Sequence, residues 1–105
     1  MIIVTDKDGK EYQLEYNRKV INSMEDNGFV LDLDKPYSTV DRLFRGAFRM
    51  HHPRIDPDKV REIWAAQVGK EKLIAALVKL YQKPIDDLMA EPEGADEGNP
   101  TWKET

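Results

Sequence analysis

Apolar and polar positions alternate at the start of the chain. Residues 2–5 and 11–16 are both rich in β-formers, and Tyr12, Leu14 and Tyr16 alternate with Glu11, Gln13 and Glu15. Asp6-Lys7-Asp8-Gly9 lies between them, turn chemistry that ends on a glycine able to take a positive φ. The pattern predicts a β-hairpin with one apolar face. A lone hairpin is marginal in water, so it must lie on the helices or on a neighbouring subunit.

Helical spacing follows. Asn17 caps a predicted helix that runs to about residue 27, with Val20, Ile21 and Met24 as its apolar stripe and Asn27-Gly28 as its stop. In GFVLDLDKPY, Phe29, Leu31 and Leu33 alternate with Val30, Asp32 and Asp34, which allows a short third strand ended by Lys35-Pro36. Ser38, with Asp41 three residues on, approximates a capping box. Val40, Leu43, Phe44, Ala47 and Phe48 then fall at i, i+3, i+4, i+7 and i+8. His51-His52-Pro53 breaks that helix, and Asp56-Pro57 starts the next, with Val60, Ile63, Trp64 and Val68 on its stripe. Gly69 ends or interrupts it. Leu73, Ile74, Leu77, Leu80 and Tyr81 form a fourth stripe. Pro84 is expected to end or kink this helix, leaving Ile85, Leu88 and Met89 as one more short turn docked on the body.

The predicted architecture is α+β and mainly α: an N-terminal hairpin, about four short helices, and a disordered acidic C-terminal tail. Residues 1–90 form a single small helical domain with its hairpin, and residues 91–105 the flexible tail, which carries Trp102. A chain of 105 residues suits one domain. Residues 1–83 carry 15 Lys and Arg against 13 Asp and Glu, a net of +2, whereas residues 84–105 carry one Lys against seven acids, a net of −6. A mildly basic body is thus joined to an acidic block of the kind that is usually solvated. Cysteine is absent, which removes disulfides, thiolate metal ligands and cysteine nucleophiles and suits a reducing compartment. No basic leader precedes the short apolar run at the N-terminus, and no stretch reaches the roughly 18 apolar residues of a membrane span.

Little here carries chemistry. His51 and His52 are adjacent, so they do not share a helix face, and no third histidine joins them; a loop with one ring packed beside Phe48 accounts for them. Asp6, Asp8 and Gly9 share residue types with a calcium loop, but the hairpin turn explains them without its further ligands. Asp86-Asp87 has no convergent pocket for acid–base work and is expected to face water. No phosphate loop, nucleophile elbow or zinc-protease motif is present, so no enzyme, metal or cofactor is expected. Arg42, Arg45 and Arg49 fall at i, i+3 and i+7, opposite the apolar stripe. A net of +2 and an acidic tail argue against nucleic acid. A solvated face is one explanation of these arginines. A protein partner with acidic groups, the chain's own tail among them, is another.

Three stretches carry a resemblance: STVDRLFRGAFRMHHPRI, LIAALVKLYQKPIDDLM and DEGNPTW. With Asn17-Arg18-Lys19 after the β segment, the L-F-x-G-A-F-x-x-H-H/P-like stretch from Leu43 to Pro53 and Gly98-Asn99-Pro100-Thr101-Trp102 at the end, the chain resembles the small tail-assembly chaperones of long-tailed bacteriophages and prophages of Gram-positive bacteria. The likeness runs over most of the chain, though none of its motifs is specific alone. It implies a non-enzymatic protein of the bacterial host cytoplasm. Such a protein coats the long, aggregation-prone tape measure protein until tail tube subunits polymerise around it, and is then absent from the virion. It also implies contacts with tube subunits through a longer frameshifted product, and self-association suits the task. A particle-bound structural or adaptor protein and a small DNA-binding regulator are the rival readings. Leu43, Phe44, Phe48, Trp64 and Tyr81 are the candidate client groove, Trp102 a further partner contact, and Arg42, Arg45 and Arg49 the electrostatic contact. Three roles stay open for Trp102: an indole docked back on the body, an anchor for a tube subunit or neighbouring copy, or a plain chain end. The family pattern favours the anchor.

Overall fold

A computed structural model describes residues 1–91 and 104. Two strands and four helices follow one another: β1 (Ile2–Thr5), β2 (Glu11–Leu14), α1 (Arg18–Asp26), α2 (Pro36–Ala47), α3 (Pro57–Ala66) and α4 (Lys70–Met89). This is the expected α+β, mainly α architecture. The expected acidic tail and Trp102 lie outside the described residues.

The hairpin is antiparallel, with Ile3 opposite Gln13 and Val4 opposite Tyr12. Its turn is closed by Asp6, whose Oδ1 accepts from the amides of Asp8 and Lys10 at 2.9 and 3.0 Å. Val4, Tyr12, Leu14 and Tyr16 all point inward and are buried, so the alternation legible in the sequence is the buried face of the sheet. That face meets the end of α2. The rings of Tyr12 and Phe48 lie 5.9 Å apart, and Phe44 and Phe48 meet edge-on at 5.0 Å. The Glu15 amide donates to the Ala47 carbonyl, and the Tyr16 hydroxyl donates to the Leu43 carbonyl. Burial pushes the Tyr16 phenol well above its ordinary range, so it serves as a neutral donor.

Each helix has a local cause. Asn17 caps α1 through its side chain, which accepts from the Val20 amide at 2.8 Å. The same helix ends in a Schellman motif: Gly28 takes φ 85°, its amide donates to Glu25, and the Phe29 amide donates to Met24. That turn drops Phe29 into the core beside Tyr81, at 5.5 Å between ring centroids. Asp56 and Pro57 start α3 as expected. Its fully buried Ile63 and the equally buried Leu77 of α4 complete the core under Phe48 and Leu43.

Four expectations need correction. Residues 29–33 do not form a strand: Phe29 is buried and Leu31 half-buried, but the backbone turns at Asp32, which exchanges hydrogen bonds with the Thr39 hydroxyl in place of a partner strand. Ser38 is not the cap of α2. The helix starts at Pro36, whose fixed φ suits the first helical position, and Lys35 precedes it without a side-chain bond. Val68 lies beyond the end of α3 and is fully exposed, because the chain leaves the helix at Gln67. Finally, α4 is not short. It runs through Pro84 for 20 residues. Proline removes one helical hydrogen bond, and half-buried Ile85 packs on the core and holds the turn beyond it. Leu88 and Met89 are exposed rather than docked.

Phe48, fully buried with the rings of Tyr12, Phe44 and His52 against it, is expected to dominate stability. Phe48→Ala should cost about 3–5 kcal/mol in urea unfolding, whereas Val68→Ser, at 98% exposed, should change it by less than about 0.5 kcal/mol.

Candidate partner-binding groove

Once α2 begins at Pro36, Tyr37, Val40, Asp41 and Phe44 fall at i, i+3, i+4 and i+7 along one helix face. Val60, Arg61 and Trp64 of α3 face them across a groove of about 200 Å³, with Arg45 at its rim. The floor is aromatic: the Phe44 and Trp64 rings are 4.9 Å apart and tilted by 59°. Lys70 Nζ sits 5.8 Å from the Trp64 ring centroid, a cation–π contact. Tyr37, 86% exposed, stands at the groove mouth with its ring unburied. The space is smaller than the roughly 300–1,000 Å³ of small-molecule sites, so it suits one or two side chains of a partner.

The predicted site residues divide. Phe44 and Trp64 line this groove. Leu43, Phe48 and Tyr81 do not: all three are core, and Tyr81 packs edge-on to Tyr16 at 5.3 Å. They stand on the helix faces that hold the hairpin and α4, so they are spent on the fold. Val40 and Val60, read from the sequence as stripe residues but not as groove, and Tyr37, which the pattern left out, are further wall residues. The signal was present in the i, i+3, i+7 spacing of Tyr37, Val40 and Phe44, hidden by placing the helix start at Ser38.

Arg42, Arg45 and Arg49 come together, as their spacing predicts. They surround a second depression of about 290 Å³ with Met24, Asn27, Phe29 and Gly46. Arg45 lines both depressions, so the arginine ridge is continuous with the apolar groove. Arg42 donates to the Asn27 carbonyl beyond the end of α1, and Arg49 donates to Ser23 Oγ, each at 3.3 Å. Arg45 pairs with Asp41 at 3.4 Å. Among the described residues, neither Arg42 nor Arg49 has a carboxylate partner. A third, broad depression lies between α1 and the end of α4, lined by Ile21, Pro84, Ile85 and Leu88 with Arg18 and Lys19.

The histidines have other work. His51 Nε2 meets Glu15 Oε2 at 2.8 Å. His52 Nε2 accepts from the Gln13 amide at 3.1 Å, and its ring packs on Tyr12 and Phe48. The outer edge of β2 is therefore covered by an imidazole. Among the described residues no three acidic or histidine side chains converge as metal ligands. Asp6 ties the hairpin to α3: its Oδ2 meets Lys59 Nζ at 3.2 Å and accepts from the Tyr12 hydroxyl at 3.3 Å. Burial raises the Asp6 carboxyl, but hydrogen bonds from the Lys10 amide, Lys59 and the Asp8 amide outweigh it and hold it below its ordinary value. Asp86 and Asp87 face solvent, bonded to Gln82 and Lys83 one turn back.

Compared with known proteins, the chain belongs to the family described as "Domain of unknown function (DUF5055)", whose model matches residues 1–105. Neither a curated protein nor a solved structure matches it.

Burial, with the neighbouring His51 and Lys10, holds the His52 imidazole below its ordinary value of 6.5. The unfolded chain then binds the proton more readily than the folded one. Stability should be flat from pH 6.5 up to the onset of tyrosine titration near 10.0, where the raised Tyr16 phenol begins to cost it, and should fall as pH drops below 6.5, with Asp6 adding a further loss only below its ordinary 3.8. His52→Gln should remove the first step and leave the second, as read from urea midpoints across pH.

Proposed function

We propose that this protein is a non-enzymatic phage tail-assembly chaperone that binds and solubilises the tape measure protein in the bacterial host cytoplasm. The observation that carries the binding reading is the α2–α3 groove, an aromatic floor open to solvent with Tyr37 exposed at its mouth. The client comes from the sequence resemblance. An amphipathic helix docks by placing side chains at i, i+3, i+4 and i+7 into an apolar groove, and a groove of this size takes one or two such anchors at a time. A long helical client offers many such faces. Weak contacts suffice when many copies bind one chain, because each bound copy raises the effective concentration of the next. A pocket for one or two anchors, with no convergent acid–base pair beside it among the described residues, fits a holdase better than a catalyst. No described helix is long and apolar enough to cross a membrane.

Self-association is part of this reading. Among the described residues the β1 edge is covered only at Thr5, whose carbonyl accepts from the Gln67 side chain, whereas His52 covers β2. Tube subunits are a second proposed contact, through the C-terminal end.

Co-expression with the tape measure protein tests the proposal. The client should move to the soluble fraction and co-purify with several copies of this chain. Tyr37→Glu, on an exposed side chain, should cut recovered client about tenfold, the equivalent of 1.4 kcal/mol per contact, while Val68→Glu should leave it unchanged. An insoluble client with the native chain sinks the holdase role. Abundant protein in purified virions points to the particle-bound adaptor.

A further inference from the structure

We propose that the acidic C-terminal segment, residues 92–103, docks on α2 of its own molecule, with its carboxylates on the Arg42–Arg45–Arg49 ridge and the Trp102 indole in the adjoining groove.

Charge points there first. Glu93, Asp96 and Glu97 lie within a few residues ahead of Trp102, a run of acids followed by one large aromatic. The surface presents the complementary order: three arginines around one depression, and beside it an apolar slot with Phe44 and Trp64 as its floor. Arg45 belongs to both, so one peptide can meet both without a gap. Arg42 and Arg49 each commit a single 3.3 Å hydrogen bond within the body, and a guanidinium has five N–H donors. The remaining donors face a depression whose other lining is Met24, Phe29, Asn27 and Gly46, none of them charged. Asp41, the one acid at the junction, is already paired with Arg45, and a neutral indole rather than a carboxylate meets that end.

Reach permits the contact. Eleven residue steps separate Glu91 from Trp102, an extended span of up to about 36–40 Å. The whole of α4 is 20 residues, or about 30 Å, so the indole can return past the full length of the helix that precedes it. Tethering favours the chain's own segment over a free competitor, because a short linker sets a local concentration on the order of millimolar. The contact is electrostatic at a solvent-exposed ridge, so salt weakens it. It does not depend on which client the groove serves.

Paramagnetic relaxation in the full chain tests it. The sequence has no cysteine, so Thr101→Cys provides a unique nitroxide site. Amides of residues 37–45 and 60–64 should lose at least half their intensity when label and ¹⁵N are on the same molecules. They should stay unaffected in a mixture of labelled and ¹⁵N-only molecules. Salt at roughly 0.5 M, where screening lengths fall to a few ångströms, should restore most of the signal, as should the triple variant R42E/R45E/R49E, whose own amide spectrum reports its fold. Broadening confined to the last turn of α4 overturns the proposal. So does broadening seen in the mixed sample, which makes a neighbouring copy the occupant. Broadening over α2 that neither salt nor charge reversal alters overturns the arginine contact.

Discussion

The ring of Phe48 joins the two halves of this protein. A two-stranded hairpin cannot hold itself in water, and four amphipathic helices need something to close over the end of α2. Phe48 meets both needs: it touches Tyr12 of the sheet, Phe44 one turn back, and His52 in the loop that follows. The polar links sit around it. Glu15 bonds to Ala47, Tyr16 to Leu43, and Gln13 to His52, so the backbone of β2 and the residues just after it are satisfied by α2 and its loop rather than by a third strand. From that junction the hairpin tip reaches α3 through Asp6 and Lys59, and Thr5 accepts from Gln67.

The groove is a consequence of the same arrangement. Phe44 is buried, yet it turns its ring between Phe48 on one side and Trp64 on the other. With α2 committed to the hairpin through its last turn, its first turns extend past the sheet. There α3 lies on one side and the segment ending at Asp32 on the other, and among the described residues Tyr37 stays exposed. An apolar slot at the end of a helix pair, next to a basic ridge, is a surface for a chain with aromatic or aliphatic anchors and acidic flanks. This is the physical content of the chaperone proposal, and the proposed contact of the C-terminal segment draws on the same complementarity.

Much of this was legible in the sequence. The alternation of Tyr12, Leu14 and Tyr16 gave the buried sheet face, and Asn17, Gly28, Asp56 and Pro57 gave helix ends with a mechanism for each. The misses have physical causes. Pro36 works in both directions, ending an extended segment and opening a helix, and weighing only the first hid Tyr37. The alternation from Phe29 to Leu33 is real for Phe29 and Leu31, but the Gly28 turn sends Phe29 into the core beside Tyr81 and the Thr39 hydroxyl takes the Asp32 backbone groups, so the segment pairs with neither strand. Pro84 removes one helical hydrogen bond, yet α4 continues through it with Ile85 packed against the core, which spacing alone does not show. Stripe residues could not be divided between core and groove from spacing alone, because Leu43 and Phe44 are adjacent in sequence and differ only in which neighbour they face.

The central claim is that client segments enter the α2–α3 groove. Site-specific photo-crosslinking during co-expression with the tape measure protein tests it most directly, with the photoreactive residue placed at position 37 or, as an equally exposed control, at position 68. Crosslinks to the client from position 37 and few from position 68 are the predicted result. Equal yields from both positions, or crosslinks from 68 alone, would contradict the account.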